Sequence, residues 1–112
     1  MVTPSPTLAS LEKLLAAGRD NALLRFGLGN EYLKAGDASR AVDHFRQAVA
    51  FDPDYSAAWK GLGKTLTAAG HNDEAVAAYQ EGIVAAEKKG DKQAMKEMQD
   101  YVRRLAKHSG QE

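Results

Sequence analysis

The chain has 112 residues, of which 44% are hydrophobic and 27% charged, the balance of a single folded domain. Fifteen basic and fifteen acidic residues give a formal net charge of +0, so charge can attract nucleic acid or anionic lipid only through local clusters, and neither is an expected partner. No cysteine is present, which excludes disulfides, thiolate metal sites and cysteine nucleophiles together.

In chain order, Met1 to Ser5 read as a flexible start with neither the basic nor the apolar segment of a secretory leader. No stretch reaches the roughly eighteen apolar residues of a membrane helix, so no membrane partner and a cytoplasmic location are expected. Ser5 can cap a first helix with Pro6 in its opening turn, and Leu8, Leu11, Leu14 and Leu15 give that helix an apolar face. From Leu23 to Leu33 the apolar residues Leu24, Leu28 and Tyr32 recur at helical spacing. Gly36 can adopt the left-handed conformation that ends this helix, and Asp37 can cap the next. That helix runs from about Ser39 to Phe51, with Ala41, Val42, Phe45, Ala48 and Val49 on one face, and Asp52-Pro53-Asp54 closes it. Trp59, Leu62, Gly63 and Leu66 mark a fourth helix, and Ala75, Val76, Tyr79 and Ile83 a fifth that can run from Asp73 to Lys89. After Gly90, residues 91–107 form an amphipathic helix with Ala94, Met95, Met98, Val102 and Leu105 inward, and 109–112 form a flexible tail.

Residues 22–55 and 56–89 superpose at an offset of 34 without a gap. Seven pairs are identical: Gly27/Gly61, Leu28/Leu62, Gly29/Gly63, Ala35/Ala69, Gly36/Gly70, Ala41/Ala75 and Val42/Val76. Phe45/Tyr79 and Val49/Ile83 are similar. Small residues at fixed sites let neighbouring helices approach closely. Trp59-Lys60-Gly61-Leu62-Gly63, Leu28-Gly29-Asn30-Glu31-Tyr32, and Ala41, Phe45, Ala48 and Pro53 together resemble the tetratricopeptide repeat family. Arg25 departs from its pattern at an aromatic position, where Phe26 can supply the packing, as do Leu66, Gly82 and Glu87 in the second unit. The resemblance implies an all-α, short helical solenoid over residues 6–108, with two full repeats and flanking helices at both ends. Strict continuation of the repeat places Gln93, Lys96, Glu97 and Asp100 at core positions, so the apolar stripe of the last helix reads as a cap about two residues early.

Catalytic and cofactor readings are weaker than packing throughout. Gly63-Lys64-Thr65 ends like a phosphate-binding loop, but Ala58 stands where that motif requires glycine, and the segment lies within a helix. Gly27-Leu28-Gly29 and Gly61-Leu62-Gly63 lack the strand–turn context of a dinucleotide fingerprint. His44 on an exposed face, His71 in a turn and His108 near the end do not converge on a metal. Asp52 and Asp54 fit a proline turn and helix cap, so no enzyme activity, cofactor or metal is expected.

The family resemblance implies a concave groove lined by the first helix of each unit. Its positions fall on Leu23, Phe26, Asn30, Leu33 and Lys34, then on Lys60, Lys64 and Thr67, with Lys92 and Lys96 added if the last helix continues the face. The candidate binding residues are therefore Phe26, Asn30, Lys34, Lys60, Lys64 and Lys96, forming a basic groove beside an apolar spot and accepting an acidic protein or peptide segment. A solvated charged face is the alternative. Relatives that clamp a terminal carboxylate use lysine and asparagine at sites where Phe26 and Lys64 stand, so that specificity is not expected. The second functional reading is a homodimer, against a monomer, formed through the solenoid ends.

Overall fold

The computed structural model describes residues 6–108, so the Ser5 cap and the flexible ends expected at 1–5 and 109–112 fall outside the described residues. Six helices follow in order: α1 (Pro6–Ala16), α2 (Ala22–Lys34), α3 (Ala38–Phe51), α4 (Ser56–Ala68), α5 (Asn72–Lys89) and α6 (Lys92–His108). The turns carry the chemistry expected of them. Asn21 accepts from the Leu24 amide at 2.8 Å, Asp37 from Arg40 at 3.1 Å and Asp91 from Ala94 at 3.0 Å, each satisfying a helix-start donor. Gly90 ends α5 with φ 71°, a conformation that leaves a Cβ no comfortable place. Asp52 differs from expectation, since its carboxylate accepts from the Asp54 amide at 3.0 Å in a local turn. Neither aspartate caps α4, and Trp59 instead ties the turn down by donating its indole N–H to the Pro53 carbonyl at 2.8 Å.

Consecutive helices pack as antiparallel pairs into a slab of 46 × 34 × 19 Å. Backbone approach between non-consecutive helices is one-sided: α2 meets α4 and α4 meets α6, while α1, α3 and α5 stay apart from one another. Helices that crowd lie on the inside of a curve and helices that fan lie on its outside, so α2, α4 and α6 line the hollow. Phe45 from α3 sets the distance between the first two of these. A Cβ on Gly29 of α2 would come within 2.7 Å of its ring, and one on Gly61 of α4 within 2.6 Å. Tyr79 from α5 occupies the matching place beside Gly63, and Phe45, Tyr79, Leu28, Leu62 and Met98 are all fully buried.

The last helix corrects the sequence reading. Ala22 to Ser56 spans 34 residues between the starts of α2 and α4, but Ser56 to Lys92 spans 36 between α4 and α6. The apolar stripe is thus two residues late, because α5 has 18 residues where α3 has 14 while the turn at 90–91 is two residues shorter than the turn at 52–55. Met98 takes the place of Leu62, and Gly82, where the first unit has Ala48, leaves room for the Met98 sulfur. At the other end Leu8 is buried and Leu11 and Leu15 are partly so, whereas Leu14 faces outward at 42% exposure.

Arg25 replaces an aromatic residue by building a polar junction. Its guanidinium reaches both carboxylate oxygens of Asp20 at 2.7 and 2.8 Å, and its remaining nitrogen meets His44 Nδ1 at 3.1 Å. The His44 ring stacks on Tyr32 at 5.4 Å, Tyr32 donates to Glu12 of α1, and Arg40 lies 5.8 Å from the Tyr32 ring. His44 is therefore half-buried, in place of the exposed position expected from sequence. Burial, then the charge of Arg25, holds its pKa below the usual 6.5 despite Glu12, Asp43 and Asp20 nearby.

Two outcomes follow from this packing. Gly61→Ala gains about 1 kcal/mol of helix propensity but forces a methyl group onto Phe45, so the net effect is a loss of about 2 kcal/mol in urea unfolding; a raised midpoint would refute the wedge. His44 binds a proton less readily in the folded chain than in the unfolded one, so its contribution is complete above pH 6.5 and is lost as pH falls through 6.5 and below. Urea midpoints measured from pH 7.5 to 5.5 should fall more for the wild type than for His44→Gln, and identical slopes would count against the junction.

Candidate functional site

Lys60 and Lys64 are four residues apart, so they share one side of α4. That side faces α6. Lys60 Nζ lies 2.9 Å from Glu97 Oε1, and Lys64 Nζ lies 6.0 Å from the centre of the Tyr101 ring. Arg104 Cζ lies 5.7 Å from the same ring. Tyr101 is fixed from beneath by Tyr79, whose ring stacks on it at 5.1 Å and 14°. Burial pushes the Tyr79 hydroxyl up to about 12, and its ring and that of Tyr101 form the floor on which the two cations rest.

The charges divide into two groups. The hydrogen bond from Lys60 and then its charge, joined by Gln93 and the field of Lys64, hold the Glu97 carboxyl below its ordinary range. Lys64 and Arg104 enter no ion pair among the described residues, and Asp100 is already engaged by Arg103. Three cations thus stand against one carboxylate on this part of the inner face. A shallow cleft of about 280 Å³ opens beside Lys60 and Glu97, between the beginnings of α4 and α6.

The other candidate residues are distributed differently. Phe26 is half-buried, 6.0 Å from Phe45 and 4.9 Å from Tyr55 between ring centres, so most of it belongs to the core. Asn30 is half-buried on α2, and Lys34 is exposed at its end, 3.2 Å from Glu31. Leu33 packs against the core, while Leu23 is 72% exposed. Thr67 turns back to the Gly63 carbonyl at 2.8 Å. Lys96 is exposed, and at the offset of 36 that pairs Met98 with Leu62 it holds on α6 the place that Lys60 holds on α4. Lys92 sits at the α5–α6 corner beside Glu87 and Met95, apart from Lys60 and Lys64. Two residues added between the starts of α4 and α6 bring Glu97 to Lys60 and Tyr101 to Lys64. Matching Met98 to Leu62 and Val102 to Leu66, at an offset of 36, is the sequence signal that finds them.

Gly63-Lys64-Thr65 lies in the middle of α4, where the Thr65 hydroxyl donates to the Gly61 carbonyl at 2.7 Å. Among the described residues no group of three or more histidine, aspartate or glutamate side chains could hold a metal ion, and no helix is long and apolar enough to cross a membrane.

The tetratricopeptide repeat family model matches residues 32–97. TPR repeat-containing protein PA0015 of Pseudomonas aeruginosa is 54% identical over 98 residues, which are 88% of this chain and 93% of that protein. The solution structure of BPP2914 from Bordetella parapertussis superposes with a TM-score of 0.81 at 44% identity, covering 100% of this chain and 95% of that one. The crystal structure of a tetratricopeptide repeat domain protein from Salinibacter ruber gives 0.70 at 33% identity, over 76% and 96% of the two chains.

The aromatic floor can be tested by stability. Tyr101→Ala removes the ring stacked on Tyr79 and should cost about 2–3 kcal/mol. Lys64→Gln, which alters only an exposed side chain, should leave the urea midpoint unchanged; equal losses for the two variants would contradict the arrangement.

Proposed function

Because the chain belongs to the tetratricopeptide repeat family, we propose that it captures an acidic segment of another protein along the hollow between α2, α4 and α6. Solenoids of this fold hold partner proteins on their concave faces, without catalysis. The observation that carries the acidic preference is the pair of cations at Tyr101: Lys64 and Arg104 lie 6.0 and 5.7 Å from one ring and neither has an ion-pair partner among the described residues. A carboxylate placed between them gains two charge-assisted contacts, on a floor held rigid by Tyr79. Exposed Leu23 offers an apolar anchor at the start of α2, and Asn30 and Lys34 continue the polar lining along that helix.

A second reading, a homodimer through the ends of the stack, rests on α6. Met95 and Val102 there are only half-buried, and a small cleft bounded by Ala86, Gly90 and Met95 remains open beside them. Sedimentation across micromolar concentrations separates the readings, since a monomer throughout removes the second.

The acidic groove is tested by affinity capture with the wild type and with Lys64→Glu/Arg104→Glu, followed by mass spectrometry. Proteins carrying acidic segments should be recovered by the wild type, and their affinity should fall at least about tenfold in the double variant, with the loss shrinking as salt is raised. An unchanged partner set from a folded variant would sink the groove reading.

A further inference from the structure

The inner face already contains one carboxylate in the position a partner's carboxylate would take. Glu97 reaches across from α6 to Lys60 at 2.9 Å, and both side chains remain partly exposed, at 43% and 31%. Lys64, one helical turn further along α4, adds its field to the same carboxylate. The next step along the face is the Lys64–Tyr101–Arg104 group, whose two cations enter no ion pair among the described residues. Of these two neighbouring cationic positions, one is filled and the other is open.

Resting on the acidic-groove reading above, we infer that Glu97 is an internal stand-in for a partner carboxylate, and that it sets how many acidic groups the hollow accepts. The spacing makes the competition specific. Lys60 and Lys64 are displaced by about 6 Å along α4, four residues at a helical rise. Alternate side chains of an extended strand are spaced by about 6.7 Å and point to the same side. An extended segment with acidic residues two apart therefore matches both lysines at once. With Glu97 on Lys60, the second acidic residue meets an occupied ammonium and a like charge, so the wild-type hollow favours a single acidic residue at Lys64 and Arg104. Removing the Glu97 charge vacates Lys60 and converts the site to one that reads a pair. The ion pair is exposed enough to open without unfolding α6, whose hold on the core runs through Met98 and Leu105.

The test uses the full chain and two fluorescein-labelled twelve-residue peptides of otherwise neutral sequence, one carrying Glu-x-Glu and the other Glu-x-Gln, titrated by fluorescence anisotropy at low salt. The wild type should bind both within about twofold of each other. Glu97→Gln should bind the Glu-x-Glu peptide about three- to tenfold more tightly than the wild type does, with little change for Glu-x-Gln. Adding Lys60→Gln to Glu97→Gln should abolish that gain, and circular dichroism of each variant establishes that helicity is kept. If the wild type binds and Glu97→Gln shows no selective gain, the stand-in role is overturned while the groove survives. If no protein binds either peptide, the acidic groove itself fails and the stand-in fails with it.

Discussion

The spacing between the inner helices depends on an aromatic ring seated where two glycines lack side chains. Phe45 projects from α3 between Gly29 of α2 and Gly61 of α4, so one ring fixes both the pairing within a repeat and the stacking of one repeat on the next. Any Cβ on those glycines would lie inside van der Waals distance of the ring, and a core packed as densely as a crystal has little room to yield. Tyr79 repeats the arrangement against Gly63 but meets a tyrosine on its far side. There Tyr101 stacks on it, and the second interface is aromatic on aromatic.

That substitution turns a packing device into a surface. Where Phe45 ends in a closed core, the Tyr79–Tyr101 stack reaches the hollow and carries Lys64 and Arg104 on its exposed side. A stacked aromatic floor keeps two like charges within reach of one ring, neither in an ion pair among the described residues, which is an unfavourable arrangement for the isolated protein and a favourable one for an anionic guest. Glu97 relieves the same repulsion one turn away by pairing with Lys60. The inner face is in this sense divided between charge that is internally balanced and charge that is open.

Most of the architecture could be read from the sequence because it is written in local, repeated signals. The glycines and alanines that recur at 34 residues, the Gly36 and Gly90 stops, and the Asp37 cap each act within a few residues of themselves. The candidate face was less legible because it depends on register between helices. Two extra residues between the starts of α4 and α6 shift the last helix, setting Glu97 beside Lys60 and Tyr101 beside Lys64. The Arg25 junction escaped for a related reason: Asp20, His44 and Glu12 are gathered from a loop and two other helices, and no spacing rule joins them to Arg25 and Tyr32. Periodicity gives a helix its apolar face, but which polar residues meet across a groove is decided by how far each helix has turned when it arrives.

The most direct measurement is a heteronuclear NMR titration of the isotopically labelled protein with a glutamate-containing peptide. Side-chain and amide shifts should concentrate at Lys64, Tyr101 and Arg104 on the inner edge, while the outer helices α3 and α5 remain silent. Shifts centred on α3 and α5, or scattered without regard to the hollow, would contradict the assignment of the inner edge as the site where a partner is held.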